Sequence, residues 1–260
     1  MIDRPSSLAT PTWLLSSRAA RSTARFSCKR KAQLSAYGIL RRRHHSDELE
    51  GQVDKFSDVI TTREQFRSIM GEPIELTTHK TLTHLDKHCG VFIGRSPFML
   101  LASSNKNGDV DVSPKGDPEG FVRILDKQTL AIPDRLGNRR ADSIDNMLEN
   151  PKVGLIFLIP GKTETLRVSG SASIVRDTNL RDSMAIRGRS PDFAIVVDVE
   201  EAFFHCSKCM IRSKLWQQEH WPSLEGLPRL AETMVDAGKL ELSESELHEI
   251  VVNDEIECLY

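Results

Sequence analysis

Between Ile132 and Pro151 the chain reads IPDRLGNRRADSIDNMLENP, and its residue types suit the binding of an anion. Arg135, Arg139 and Arg140 surround Gly137 and Asn138. The sequence then turns helical, with Ile144, Met147 and Leu148 at helical spacing and Asn150-Pro151 as a stop. A helix N-terminus presents unpaired N–H groups and positive potential. Guanidinium groups pair with phosphate oxygens through two hydrogen bonds, and glycine permits a tight turn. Asp142 is the expected cap, with Asp145 three residues on. The plainer alternative is a surface turn in which these arginines pair with Asp134 and Asp142.

Other candidate chemistry is thinner. Cys206-Ser-Lys-Cys209 forms a CxxC, but the sequence has no second pair to complete a structural zinc site. The expectation is two buried or half-buried thiols at a strand–helix junction, and no metal. His79, His84 and His88 recur at spacing that suits one helix face, with Asp86 the only acid among them. No Gly-x-Ser-x-Gly, HExxH or GxGxxG motif occurs, which leaves hydrolase and dinucleotide-fold readings without support.

These residues need elements to hold them. SPFMLLASSNKNGDVDVSPKGD, residues 96–117, reads as a hairpin turning at Asn107-Gly108, a pair suited to a type I′ turn. Further strands are expected over 121–125, 129–133, 153–160, 164–175 and 193–206. In 164–175, Leu166, Val168, Gly170, Ala172 and Ile174 alternate with Thr165, Arg167, Ser169, Ser171 and Ser173, the pattern of a half-buried antiparallel strand. Helices are expected over 62–71, 81–94, 142–149 and 178–187. Many short strands with few helices predict a mainly β (α+β) fold built on a small antiparallel barrel.

The chain has 260 residues and a formal net charge of −2, unevenly spread. Residues 1–45 carry ten Lys/Arg and one acid, Asp3, which leaves 25 basic and 36 acidic side chains in the remainder. Such an acidic body does not suit nucleic acid. An Arg- and Ser-rich, acid-poor start has the composition of a mitochondrial transit peptide, which predicts a matrix protein; a basic tail on a cytoplasmic protein is the alternative. No apolar run is long enough to span a bilayer, so no membrane insertion is expected. The five cysteines follow no disulfide framework. The expected organisation is therefore a transit peptide over 1–45, a linker and helix over 46–80, the barrel over 81–221, and an acidic helical extension over 222–260.

Four stretches together resemble the pyridoxamine 5′-phosphate oxidase-related, FMN-binding split-barrel superfamily. They are FIGRSPFMLLASS…GDVDVSPKGD, TLAIPDRLGNRRADSIDNMLENPKVGLIFLIPG, ETLRVSGSASIV and FFHCSKCMIRSKLW, within residues 82–216. The chain is most similar to the flavoprotein branch that carries SPKGD. The resemblance implies a six-stranded antiparallel split β-barrel with flanking short helices, binding FMN at a homodimer interface. It assigns Asn138, Arg139, Arg140 and Ser143 to the FMN phosphate, with Arg135 nearby. It sets Lys115 beside the electron-rich edge of the flavin with Ser113 on the same side, and Ile132 and Pro133 along the ring. Arg167 would reach the cofactor or the dimer seam, and Lys214 and Trp216 would close the site from the partner subunit. The implied activity is an oxidoreductase passing electrons through FMN from a small donor such as NADH or NADPH. The Arg and His expected at the C-terminal end of pyridoxamine phosphate oxidases have no counterpart after Trp221, so the resemblance does not carry the vitamin B6 reaction with it. A non-enzymatic split-barrel binding protein is the second reading.

Overall fold

The structure is a computed structural model that describes residues 56–257, 259 and 260; the expected transit peptide lies outside the described residues. The chain divides into two units, residues 1–71 and 72–260. In the first, helix α1 (Arg63–Met70) opens with a capping box between Thr62 and Gln65 and stops at Gly71, whose φ of 76° suits glycine.

The second unit begins with a single turn, α2 (Glu75–Thr78), and helix α3 (Lys87–Arg95). Asp86 caps α3 by accepting from the N–H groups of His88 and Cys89. The expected helix over 81–94 thus starts later: Leu82 instead bridges to Ala202 in extended conformation. His79, His84 and His88 therefore do not share a helix face, and no metal-binding cluster exists among the described residues.

Seven strands follow: β1 (Phe98–Ser104), β2 (Val110–Gly116), β3 (Arg123–Ile124), β4 (Thr129–Asp134), β5 (Lys152–Leu158), β6 (Thr165–Val175) and β7 (Phe193–His205). Helix α4 (Asp142–Glu149) joins β4 to β5, and α5 (Thr178–Ser183) joins β6 to β7. Helices α6 (Lys208–Ser213), α7 (Leu230–Gly238) and α8 (Glu244–Glu257) complete the chain. The strands form one antiparallel sheet in the order β2-β1-β5-β6-β7-β4-β3. The seven strands are those the sequence pattern marks, one more than the six the family resemblance implies; the strand expected over 121–125 shrinks to the two-residue β3, because Phe121 and Val122 turn into the core instead.

The sheet curls on itself as a split barrel. Met99 and Leu101 of β1, Leu155 and Phe157 of β5, Leu166 and Val168 of β6, Ile195 and Val197 of β7 and Leu130 and Ile132 of β4 all join one buried cluster. Strands near both ends of the sheet can share one core only if their inner faces converge. Cys89, Phe92 and Ile93 of α3 plug that core from one end, and Met147 of α4 packs into it. A smaller cluster of Ala131, Met184 and Ala194, with Leu180 of α5, covers part of the outer face.

A bulge lets β6 and β7 follow the curl. The register shifts between Ser169 and Gly170, so that Ser169 faces Glu201 but Gly170 faces Val199. One extra residue reverses which side chains point inward. Ile195, Val197 and Val199 are buried before the bulge, Ala202 after it. Gly170 is required there: a Cβ at that position would lie 2.1 Å from the carbonyl oxygen of Asp198.

The hairpin forms where the sequence places it, but its turn is not a two-residue type I′. The loop spans residues 105–109, with Gly108 alone at positive φ. The Asn105 side chain accepts from the N–H groups of Asn107 and Asp109, and this local bonding sets the longer loop.

Candidate anion-binding cleft

Strand β2 breaks the inward-apolar rule of its neighbours. Asp111, Ser113 and Lys115 stand opposite Ser103, Leu101 and Met99 of β1, and directly opposed residues share a face. The polar residues of β2 therefore point inward and are half-buried, while Val110 and Val112 are exposed on the outside. An inward polar row cannot sit against an apolar core. Here it forms one wall of a cleft of about 820 Å³. The opposite wall is the end of β4, the loop over 135–141, the first turn of α4, and Asp192-Phe193 at the start of β7.

The mouth of α4 differs from expectation in one way that matters. Asp142 does not cap the helix; it is the first helical residue. The cap position is Ala141, in the left-handed conformation (φ 59°) and with no side-chain oxygen to offer. The N–H groups of Asp142 and Ser143 take no acceptor among the described residues. Arg139 is also left-handed (φ 63°), and Asn138 folds its side-chain oxygen onto the N–H of Arg140. The loop thus aims an uncapped helix start into the cleft.

The charges are nearly balanced. Arg140 is held by Asp142, with Nε and Nη2 each 2.8 Å from Oδ2. Lys115 lies 3.7 Å from Asp134, and Arg135 lies 2.5 Å from Asp117. The alternative pairing of arginines with nearby carboxylates is thus real for Arg140, whereas Arg135 takes Asp117 and leaves Asp134 to Lys115. Ser143 donates to Asp111 at 2.5 Å. Arg139 is exposed and has no ion pair among the described residues. Burial raises the Asp134 carboxyl above its ordinary range, an effect that Lys115 opposes and Asp192 reinforces.

Of the twelve residues singled out from sequence, Ser113, Lys115, Pro133, Arg135, Asn138, Arg139, Arg140 and Ser143 line this cleft together. Ile132 does not: alternation along β4 turns its side chain into the core, fully buried. Arg167 lies on the outer face of β6, 5.4 Å from the ring centre of Phe203. Lys214 ends α6 in left-handed conformation and contacts His220, 3.2 Å from Nε2. Trp216 donates from its indole to the carbonyl of Lys162 at 2.8 Å and lines a separate shallow hollow with Pro160, Gly161 and Trp221. Cys206 and Cys209 sit at the expected strand–helix junction but are exposed rather than buried, because α6 buries none of its residues. His205 packs beside Phe203 outside the cleft, and its burial and the nearby Lys80 and Arg167 charges favour the neutral ring.

Sequence reasoning missed Phe121, Asp192 and Phe193 as cleft residues, and Asp111 and Asp117 as the partners of Ser143 and Arg135. The alternation Asp111, Ser113, Lys115 carries the missing signal, continued by Asp117 just past the strand: polar residues on one face of a strand that starts with Val110 and Val112 on the other.

Residues 85–206 match the model of the family described as Pyridoxamine 5′-phosphate oxidase. The matched segment, just under half of the chain, is similar to that family and holds three of the four sequence stretches and the start of the fourth. The chain is similar to HupZ from Group A Streptococcus (17% identity, 46% of this chain and 93% of that one, TM-score 0.39). It is similar to general stress protein 26 from Bacillus anthracis (16% identity, 44% and 88%, TM-score 0.35). It is also similar to an FMN-binding protein from Syntrophomonas wolfei (14% identity, 55% and 94%, TM-score 0.35). No curated protein matches the sequence.

Proposed function

We propose that the cleft binds FMN, with its phosphate at the mouth of α4, and that the protein is an FMN-dependent oxidoreductase. The observation that carries this reading is the uncapped start of α4 beside the ionically unpaired Arg139. Two amides and one guanidinium without a hydrogen-bond or ionic partner among the described residues, at the end of a cleft of about 820 Å³, fit a phosphate group. Arg139 and the amides of Asp142 and Ser143 would hold it, with Asn138 shaping the turn. Arg140 would reach the phosphate only with the N–H groups it does not give to Asp142, and the Ser143 hydroxyl only by turning away from Asp111. Lys115 and Ser113 would flank the ring, and Pro133 and Phe121 supply apolar wall that excludes water.

When bound, FMN supplies reversible two-electron transfer to and from a small donor such as NADH or NADPH. Lys115 would favour negative charge on the ring, tempered by Asp134 3.7 Å away. The outer face of β1, β2 and β5 supports a homodimer. Phe98, Leu100, Ala102, Val110, Val112 and Ile156 make it apolar, yet Val110 and Val112 are 69% and 54% exposed. In that dimer Arg167, Lys214 and Trp216 would serve the partner's site. The basic segment over 1–45 supports delivery to the mitochondrial matrix.

A binding protein without turnover is the second reading. It is favoured by the engagement of Lys115, Arg135 and Arg140 with carboxylates of the same chain, which leaves the cleft with little spare charge. The test is an absorbance spectrum after mixing with FMN and gel filtration, then steady-state oxidation of NADH and NADPH. Retained flavin bands with nicotinamide turnover support the enzyme. Retained bands without turnover under any donor support the carrier. A colourless protein removes both flavin readings.

A further inference from the structure

One side chain from beyond the family-matched segment 85–206 reaches the residues that brace the cleft. Tyr260 donates its hydroxyl to Oδ1 of Asp117 at 2.8 Å, across 143 positions of sequence. The other oxygen of Asp117 accepts from Arg135 Nε at 2.5 Å. Arg135 also donates to the carbonyl of Met184 at 2.9 Å. The tyrosine ring is flanked by guanidinium groups, Arg187 at 5.2 Å and Arg135 at 5.9 Å from its centre. Arg189 hydrogen-bonds the main-chain oxygen of Tyr260.

We infer that Tyr260 is a positioning residue for the cleft: it fixes Asp117, and through it Arg135, so that the loop over 136–141 presents Arg139 and the α4 amides in one arrangement. The ligand half of this inference rests on the cleft being the FMN site proposed above. The positioning half stands on the contacts alone.

The side chain of Asp117 is 1% exposed, so its charge depends on the partners the protein provides. It directly follows β2, and its N–H donates to the carbonyl of Pro97. Arg135 directly follows β4. Their ion pair therefore clamps the two strands that flank the cleft, at the point where the loop departs. That loop holds two non-glycine residues at positive φ, Arg139 and Ala141, a conformation that persists only when its surroundings enforce it. Tyr260 completes the clamp by satisfying the second carboxylate oxygen and covering the guanidinium. Removing the hydroxyl leaves that oxygen without a partner and loosens the anchor of the loop.

The test uses the full chain with Tyr260→Phe and Tyr260→Ala. Amide hydrogen exchange over 135–141, without ligand, reads positioning directly, and FMN affinity by flavin fluorescence reads its consequence. Tyr260→Phe should speed exchange over 135–141 about tenfold and weaken FMN about fivefold, with exchange over 98–104 unchanged; Tyr260→Ala should do both more strongly. A tyrosine that only stabilises the fold would raise exchange equally in both segments, and that result overturns the inference. So does unchanged exchange over 135–141 in both variants. If the parent protein retains no FMN, the flavin reading fails and the exchange result alone decides whether Tyr260 positions the loop. A phenolate titration checks the contact itself. The chain has two tyrosines, Tyr37 and Tyr260. The hydrogen bond to Asp117 pushes the ionisation of the Tyr260 phenol to higher pH, so Tyr260→Phe should remove a late-titrating phenol.

Discussion

Gly170→Ala tests the account of how the barrel curls. The added methyl would sit 2.1 Å from the carbonyl oxygen of Asp198, 2.9 Å from its carbon and 3.1 Å from Cγ1 of Val197. Two of these three atoms are backbone, in a strand paired on both sides, so relief requires separating β6 from β7 at the bulge. Overpacking of this kind costs about 3 kcal/mol, the upper end of the usual range. For a unit of this size that corresponds to a fall in melting temperature of roughly 6–12 °C. Gly154→Ala, on neighbouring β5, is the control. There the new methyl would meet only the Cβ of Ala102, at 4.0 Å, and a strand alanine loses less chain entropy on folding than glycine, so stability should hold or rise by about 0.5 kcal/mol. Urea and thermal unfolding followed by circular dichroism measure both. A Gly170→Ala protein as stable as the Gly154→Ala protein would refute the close approach at the bulge.

Cys89 and the cleft arginines give two further expectations. Burial, with a smaller part from its hydrogen bond to Asp86, pushes the Cys89 thiol from 9.0 up to about 11. The folded state then holds its proton where the unfolded state has lost it, so this contribution to stability is complete below about pH 9 and declines as pH rises toward about 11. Urea unfolding of the parent and Cys89→Ala across that range should show the extra slope in the parent alone. A thiol reagent at neutral pH should label Cys206 and Cys209 in the native protein and spare Cys89. In the cleft, Arg139→Ala should weaken FMN about tenfold or more, and Arg140→Ala less, because Arg140 is already spent on Asp142. Equal losses in the two variants, measured by flavin fluorescence, would show that the Arg140–Asp142 pair does not limit binding.

The strands were legible where burial is one-sided. Residues 164–175 alternate so regularly that β6 and its inner face follow from sequence, and the hydrophobic runs at 98–102 and 153–159 mark β1 and β5 in the same way. The cleft was legible as a set of residues more than as a set of bonds. For the arginines the sequence offered Asp134 and Asp142 as nearby carboxylates; Arg140 takes Asp142, but the partner of Arg135 is 18 positions away and only the fold brings it close. Lys115 takes Asp134 and Arg135 takes Asp117 because β2 and β4 face each other across the cleft. Asp142 looked like a cap by residue type, but the left-handed Ala141 takes the cap position and the helix starts one residue earlier than an Asp142 cap needs. The bulge at Gly170 had no local signal beyond the glycine itself. Tyr260 had none at all, since its partner lies 143 residues away.

The central claim is that a phosphate group is what the mouth of α4 recognises. Parallel titrations of the protein with FMN and with riboflavin, which differ only in that phosphate, test it most directly. A phosphate held by Arg139 and two amides should favour FMN by about 100-fold, and Arg139→Ala should remove most of the difference. Equal affinity for FMN and riboflavin, or an FMN preference untouched by Arg139→Ala, would contradict the assignment of this cleft.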